Sequence, residues 1–87
     1  MPRYTVQFTS QALRALRRLE RRDQLRVAGA VELLAENPRP PACTALVGMD
    51  GVYRVRAGDH RIVYEVRDSA LLVLVIRVGH RRKAYRP

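Results

Sequence analysis

The chain has no tryptophan, one phenylalanine, one cysteine and one lysine among 87 residues. Each scarcity excludes something. A lone thiol, Cys43, cannot close an internal disulfide, and no Cys/His cluster has the spacing of a zinc site. Cys43 follows Pro40 and Pro41 with no activating neighbour, so it reads as a small apolar filler rather than a nucleophile. Acidic residues are few, eight against seventeen basic ones. The carboxylates Asp50, Asp59, Glu65 and Asp68 fall mostly in turns and form no obvious metal-binding set. No glycine-rich loop precedes a helix, so a nucleotide-cradle motif is missing. Long apolar runs are missing too. The longest, Ala70 to Ile76, is far too short to span a bilayer, and "MPRYTVQFTS" lacks the apolar stretch of a secretory leader. We therefore expect a cytoplasmic, reducing compartment, no membrane partner, no metal and no cofactor.

What is present is positive charge. The net charge is +9, and sixteen of the seventeen basic residues are arginine. Guanidinium presents planar, forked donors suited to phosphate or carboxylate, although arginine also rises simply with GC-rich coding. The excess charge implies a polyanionic partner: nucleic acid, a membrane surface or an acidic protein. A chain this short buries a modest core, and we expect one domain over residues 1–87.

The patterning is explicit. Tyr4, Val6 and Phe8 alternate with Arg3, Thr5 and Gln7, as in a half-buried strand. Thr9 or Ser10 offers an N-cap to an amphipathic helix. In "QALRALRRLERR", Ala12, Leu16 and Leu19 form the apolar stripe, with Leu13 beside them, and Arg14, Arg17, Arg18 and Arg21 the basic one. Asp23 could cap a second helix with Val27, Val31 and Leu34 on one face and Leu25, Ala28 and Ala35 flanking it. Pro38 should end that helix near Glu36. Strands then follow in "CTALVG", "VYRVRA", "HRIVYEV" and "LLVLVIRVG", with turns at Met49–Gly51, at Gly58 and Asp59, and in "RDSA". The last strand is apolar on both faces and should lie centrally in its sheet. The order β-α-α-β-β-β-β predicts an α+β fold, a helical hairpin packed on a mainly antiparallel sheet.

The chemistry concentrates on strands. Arg54 and Arg56 share a face by the two-residue period, and Arg61, just past a tight turn, should start the next strand close to Arg56. Side-by-side cations destabilise a sheet unless the face is wet or an anion binds there. The central strand ends in "VIRVGHRRKAYR", which delivers His80, Arg81, Arg82, Lys83, Tyr85 and Arg86 to one edge. A solvated basic face and tail is the plainer reading. The sharper one is a phosphate grip with an aromatic platform for a base, parts that RNA cleavage needs. His80 could be a surface residue or could carry a proton, which imidazole does near neutral pH. His60 reads as a turn or surface residue.

These segments resemble the RelE/ParE toxin superfamily of bacterial type II toxin–antitoxin modules, over essentially the whole chain. The resemblance rests on "YRVRAGDHRIVYEV" and "VIRVGHRRKAYR", and more loosely on the helical half. It implies the same β-α-α-β-β-β-β fold. For the RelE branch it implies a metal-independent mRNA endoribonuclease that acts in the ribosomal A site by 2′-hydroxyl attack on the adjacent phosphate. The family's functional positions fall on Arg54, Arg56, Arg61, Arg81 and Tyr85. RelE relatives carry lysines where this chain has Arg54 and Arg56. Guanidinium is effectively always protonated, so His80 becomes the better proton acceptor. On this reading Arg61, Arg81, His80 and Tyr85 are catalytic. Arg54, Arg56, Arg82, Lys83 and Arg86 bind RNA, with ribosomal RNA against the basic surface. The resemblance also implies a cognate antitoxin, in a hetero-oligomer that could bind operator DNA. The ParE branch shares the fold and inhibits DNA gyrase without cutting RNA. A basic binding module without catalysis is the third reading.

Overall fold

The computed structural model describes residues 3–80. Strand β1, Thr5–Phe8, turns its alternating apolar set inward, with Tyr4, Val6 and Phe8 packed against the core. Thr9 then caps α1, Ser10–Arg18: its Oγ1 accepts from the Ala12 amide at 3.1 Å. The predicted basic stripe is exposed, but the helix stops at Arg18, and Leu19 and Glu20 are extended. Arg21 therefore belongs to the next helix, α2, Arg21–Glu36. Glu20 occupies the N-cap there and Asp23 sits in the first turn, so Asp23 supplies charge at the helix start rather than the cap. The Gln24 side chain ties the two helices together by donating to the Leu16 and Arg17 carbonyls at 3.1 and 3.2 Å. On α2 the inward face is Val27, Val31, Leu34 and Ala35. Leu25, expected to flank it, is 59% exposed, and Ala28 is exposed too. A 3.6-residue period turns both too far from the sheet.

After Asn37 the proline loop leads to β2, Thr44–Ala45, then β3, Val52–Ala57, and β4, His60–Arg67. A single 3-10 turn, Asp68–Ala70, precedes β5, Leu72–His80. The sheet order is β1-β5-β4-β3-β2. β1 runs parallel to β5, and the other neighbours are antiparallel. β5 thus has a partner on each side, the interior position its two-faced apolarity called for. The β3–β4 turn has Gly58 at φ +63, and Asp59 keeps an ordinary φ. A first central residue in the left-handed region suits the tight hairpin turn that matches strand twist. A Cβ at Gly58 would also come within 2.8 Å of the Arg26 guanidinium, which reaches over the turn from α2.

Both helices cover one face of the sheet. Ala12, Val27, Val31 and Leu34 meet Val55, Ala57, Ile62, Tyr64, Val66, Val73, Val75 and Val78 in one core. The ladder between β4 and β5 carries one irregularity. Val63 pairs with Arg77 but Tyr64 pairs with Val75, so Ile76 is an extra residue on β5. Thr9 braces that bulge. Its amide donates to the Val75 carbonyl at 2.9 Å, and its hydroxyl donates to the Ile76 carbonyl at 3.0 Å. The bulge shifts the pleat: Val73 and Val75 face the helices before it, and Val78 faces them after it.

The far end of the sheet is closed by a polar network. The buried Tyr64 hydroxyl donates to the Pro38 carbonyl at 2.8 Å. Burial, and next the Cys43 thiol beside it, push that phenol above its ordinary value. Arg39 forms a forked pair with Asp68 at 2.7 and 3.1 Å, and its Nε donates to the Tyr53 hydroxyl at 3.0 Å. Tyr4 donates to the same Asp68 carboxylate. These bonds, Arg39 first, hold Asp68 down at about 2.

Two outcomes follow from these contacts. Thr9→Val removes both the cap acceptor and the bulge donor at nearly constant volume. It should cost about 1–2 kcal/mol, and Thr9→Ser should recover most of it, read as melting temperature. Asp68 has its pKa lowered by folding, so its contribution is present above the unfolded value near ~4 and is lost as pH falls toward about 2. An Asp68→Asn variant should lose that part of the acid dependence, measured as denaturant midpoints between those pH values.

Candidate nucleic-acid interface

The second face of the sheet has no helix on it among the described residues. Arg56 stands directly opposite Arg61 across the β3–β4 ladder, as the sequence spacing anticipated. One row along, Arg54 stands opposite Val63, and Val63 opposite Arg77. Thr44 of β2 stands opposite Arg54. The pleat puts this set on the face away from the helices, since its alternates Val55, Ala57, Ile62 and Val78 lie in the core. Val52 and Val63 agree with that assignment, for both are buried and yet outside the helix-side cluster. Thr44, Arg54, Arg56 and Arg61 line a depression of about 170 Å³, together with Ala42 and Val55. A smaller hollow beside it is bounded by Arg56, Gly58, Asp59 and Arg61. Arg26 reaches the same turn from the helix side.

His80 does not join the arginines. Gly79 is the β5 residue opposite Arg61, and His80 is opposite His60. The pleat puts both imidazoles on the helix side at the rim, their rings edge to face at 82° with centroids 6.1 Å apart. His60, expected in the turn, is instead the first residue of β4. Arg81, Arg82, Lys83, Tyr85 and Arg86 lie outside the described residues.

Arg77 and Arg26 were not singled out from the sequence. In strict alternation Arg77 shares a face with Val73 and Val75 and points at the helices. Only the extra residue at Ile76 aims it the other way, and no local signal marks the bulge. Nothing in the sequence marks Arg26 either, because its position depends on how α2 crosses the β3–β4 turn.

Chemically, the face offers fixed positive charge and many N–H donors. In the next row Glu65 already accepts from Arg67 at 2.7 Å. Arginine opposite arginine is an unfavourable arrangement that an anion between them converts into charge-assisted hydrogen bonds. No cluster of three or more metal-ligating side chains occurs among the described residues, and no helix there is long and apolar enough to cross a membrane.

Comparison with known proteins supplies the remaining context. Residues 6–85 match the family model described as ParE toxin of type II toxin-antitoxin system, parDE. The chain is 38% identical over 85 residues to the mRNA interferase toxin RelE of Escherichia coli, covering 93% of this chain and 86% of that protein. It is 32% identical over 87 residues to Toxin RelG of Mycobacterium tuberculosis, covering 95% and 97%. Among solved structures, the intact Escherichia coli RelBE toxin-antitoxin complex contains a chain that matches with a TM-score of 0.79 at 32% identity. That match covers 88% of this chain and 95% of the other.

The paired arginines make a prediction that needs no assumption about the natural ligand. Inorganic pyrophosphate should raise the melting temperature of the parent chain, and Arg56→Ala should lose most of that rise. Arg56 is exposed, so its removal alone should change stability by less than about 0.5 kcal/mol. Thermal melts with and without the anion, at constant ionic strength, check both statements.

Proposed function

Because the chain belongs to the ParE toxin family of type II toxin-antitoxin systems, we propose that it acts as an endoribonuclease of the RelE kind on mRNA in the ribosomal A site, and that a cognate antitoxin neutralises it. The observation that carries this reading is the register of Arg56 against Arg61 on a sheet face that no described helix covers. A basic depression lined by paired strand arginines suits a nucleic-acid backbone. The relative named as an mRNA interferase supports the same reaction class.

In the reaction the ribose 2′-oxygen attacks the neighbouring phosphorus, and the bond from phosphorus to the 5′-oxygen breaks. A 2′,3′-cyclic phosphate and a 5′-hydroxyl result. The intervening phosphorane carries an added negative charge on its equatorial oxygens. Arg61, with Arg81, donates to those oxygens, while Arg54 and Arg56 hold the backbone in line. Preorganised donors of this sort act where charge grows, which is why they accelerate the step rather than merely bind. Guanidinium cannot take the 2′-hydroxyl proton. His80, the proton acceptor the sequence pointed to, lies on the helix side of the sheet, away from Arg54, Arg56 and Arg61. This face therefore supplies charge stabilisation, and the proton passes to another group or to the ribosome. Tyr85 is our candidate for stacking a base. The antitoxin must compete with RNA for a strongly basic protein. An acidic or amphipathic segment laid over the exposed Arg14, Arg17 and Arg18 of α1 and along a sheet edge would do so.

Single-turnover cleavage of message on a programmed ribosome tests the reading. Arg61→Ala should lose about 10²–10³-fold in rate, with its melting temperature recorded alongside. His80→Ala should keep both RNA binding and most of the cleavage, since its imidazole lies on the helix side of the sheet. A large loss of cleavage with binding kept would restore it as the proton acceptor. Parent-like cleavage by Arg61→Ala would show the cluster to be only a solvated face. Intact messages together with inhibited gyrase supercoiling would move the chain to the gyrase-inhibitor reading.

A further inference from the structure

The bulge at Ile76 adds a residue to the basic face that neither strand periodicity nor the family resemblance supplied. Arg77 and Arg54 flank Val63 from β5 and β3, each one strand away from β4. Neighbouring strands lie about 4.8 Å apart, so the two backbones are separated by about 10 Å. Both side chains rise from the same face, and Val63 between them is buried. A phosphate above Val63 is within reach of both guanidinium groups. This row is parallel to the Arg56–Arg61 row and roughly 6.8 Å from it along the strands, comparable to the step between successive phosphates of a single strand. In the Arg56–Arg61 row the β5 position is Gly79, which adds no side chain. The two rows therefore differ: one grips from adjacent strands and is open on the β5 side, the other straddles β4.

We propose that Arg54 and Arg77 form a second phosphate subsite, one nucleotide along the strand from the Arg56–Arg61 pair. Each row takes one phosphate, so the face reads a dinucleotide step by its spacing and sets the direction of the chain across the sheet. The register favours this, for Arg54 and Arg77 stand on the two strands that flank Val63 and share its face. The ligand is the backbone of single-stranded RNA, and the inference rests on the ribonuclease reading above. Arg77 is a positioning residue here, since it holds the phosphate next to the reacting one. The bulge, and through it Thr9, sets the aim of Arg77.

The test uses the full-length chain and short RNA oligonucleotides made non-cleavable by a 2′-deoxy substitution, with one phosphate or with two successive phosphates. The parent should bind the two-phosphate probe more tightly, by about tenfold. Arg77→Ala should lose that gain and leave the one-phosphate probe unaffected. Its salt dependence with the two-phosphate probe should fall by roughly 0.7 in the log–log slope, the value for one lost phosphate contact on a single strand. Arg77→Lys keeps a cation and should retain the slope. It also controls for folding, with melting temperatures recorded for both variants. A simple shielding role for Arg77 over Val63 would change melting temperature but not the slope. If the parent binds the two-phosphate probe and Arg77→Ala matches it in affinity and slope, the second subsite is wrong and the ribonuclease reading stands. If the parent binds neither probe, the second subsite is wrong, and the ribonuclease reading is decided separately by cleavage on the programmed ribosome.

Discussion

Thr9 is the joint on which the arrangement turns. Its hydroxyl accepts from the first turn of α1 and donates to the carbonyl of the extra residue in β5, while its amide holds the residue before. A hydroxyl can do both at once because it has one proton to give and lone pairs to receive. So the start of a helix, the end of the edge strand β1 and the bulge of the interior strand β5 are fixed by one side chain. The bulge left an exposed kink in no one's keeping would slip, because a one-residue change of register moves every side chain beyond it to the other face. Here that slip would turn Arg77 into the core and Val78 out of it.

The molecule divides its polar groups between two ends. At one end polar groups are matched. Tyr64 reaches the Pro38 carbonyl, and Arg39 spans Tyr53 and Asp68, stacked over the Tyr53 ring at 5.4 Å. These bonds fasten the proline loop and the 3-10 turn to the sheet. At the other end cations are set against cations, Arg56 against Arg61, with Arg26 reaching over the adjoining turn. Cations facing cations on a sheet depart from local consistency, and a departure of that sort is where a ligand is expected to complete the structure. Arginine suits the position because it stays charged whatever its neighbours are.

That division bears on how a small toxin is controlled. The basic face and the exposed arginines of α1 lie on different sides of the sheet, so one antitoxin segment would need to pass an edge to cover both. β1 and β2 are the available edges. β2 has only two residues in the ladder, whereas β1 has four and borders α2, where the Tyr4 amide reaches the Ala35 carbonyl. The longer edge offers more unpaired backbone to an added strand.

Much of this was legible in order along the chain. The alternation of Tyr4, Val6 and Phe8, the cap at Thr9, the stop at Pro38 and the turn at Gly58 and Asp59 are local rules, obeyed where they were written. So was the adjacency of Arg56 and Arg61, because a two-residue turn leaves only one register for the strands that flank it. The stripe that seemed to continue through Arg21 broke at Leu19 and Glu20, and His60 entered the ladder opposite His80. Neither follows from period alone. By itself the sequence determined the element order, the central apolar stripe of each helix and the sign of the charge, all carried by neighbours within a few residues. The tertiary structure alone decided that β1 lies parallel beside β5, that His80 and the arginines part to opposite faces, and that Arg77 joins the basic face. The last two depend on the bulge at Ile76. Its carbonyl is held by a threonine 67 residues away in the chain, and no local pattern encodes a hydrogen bond at that range.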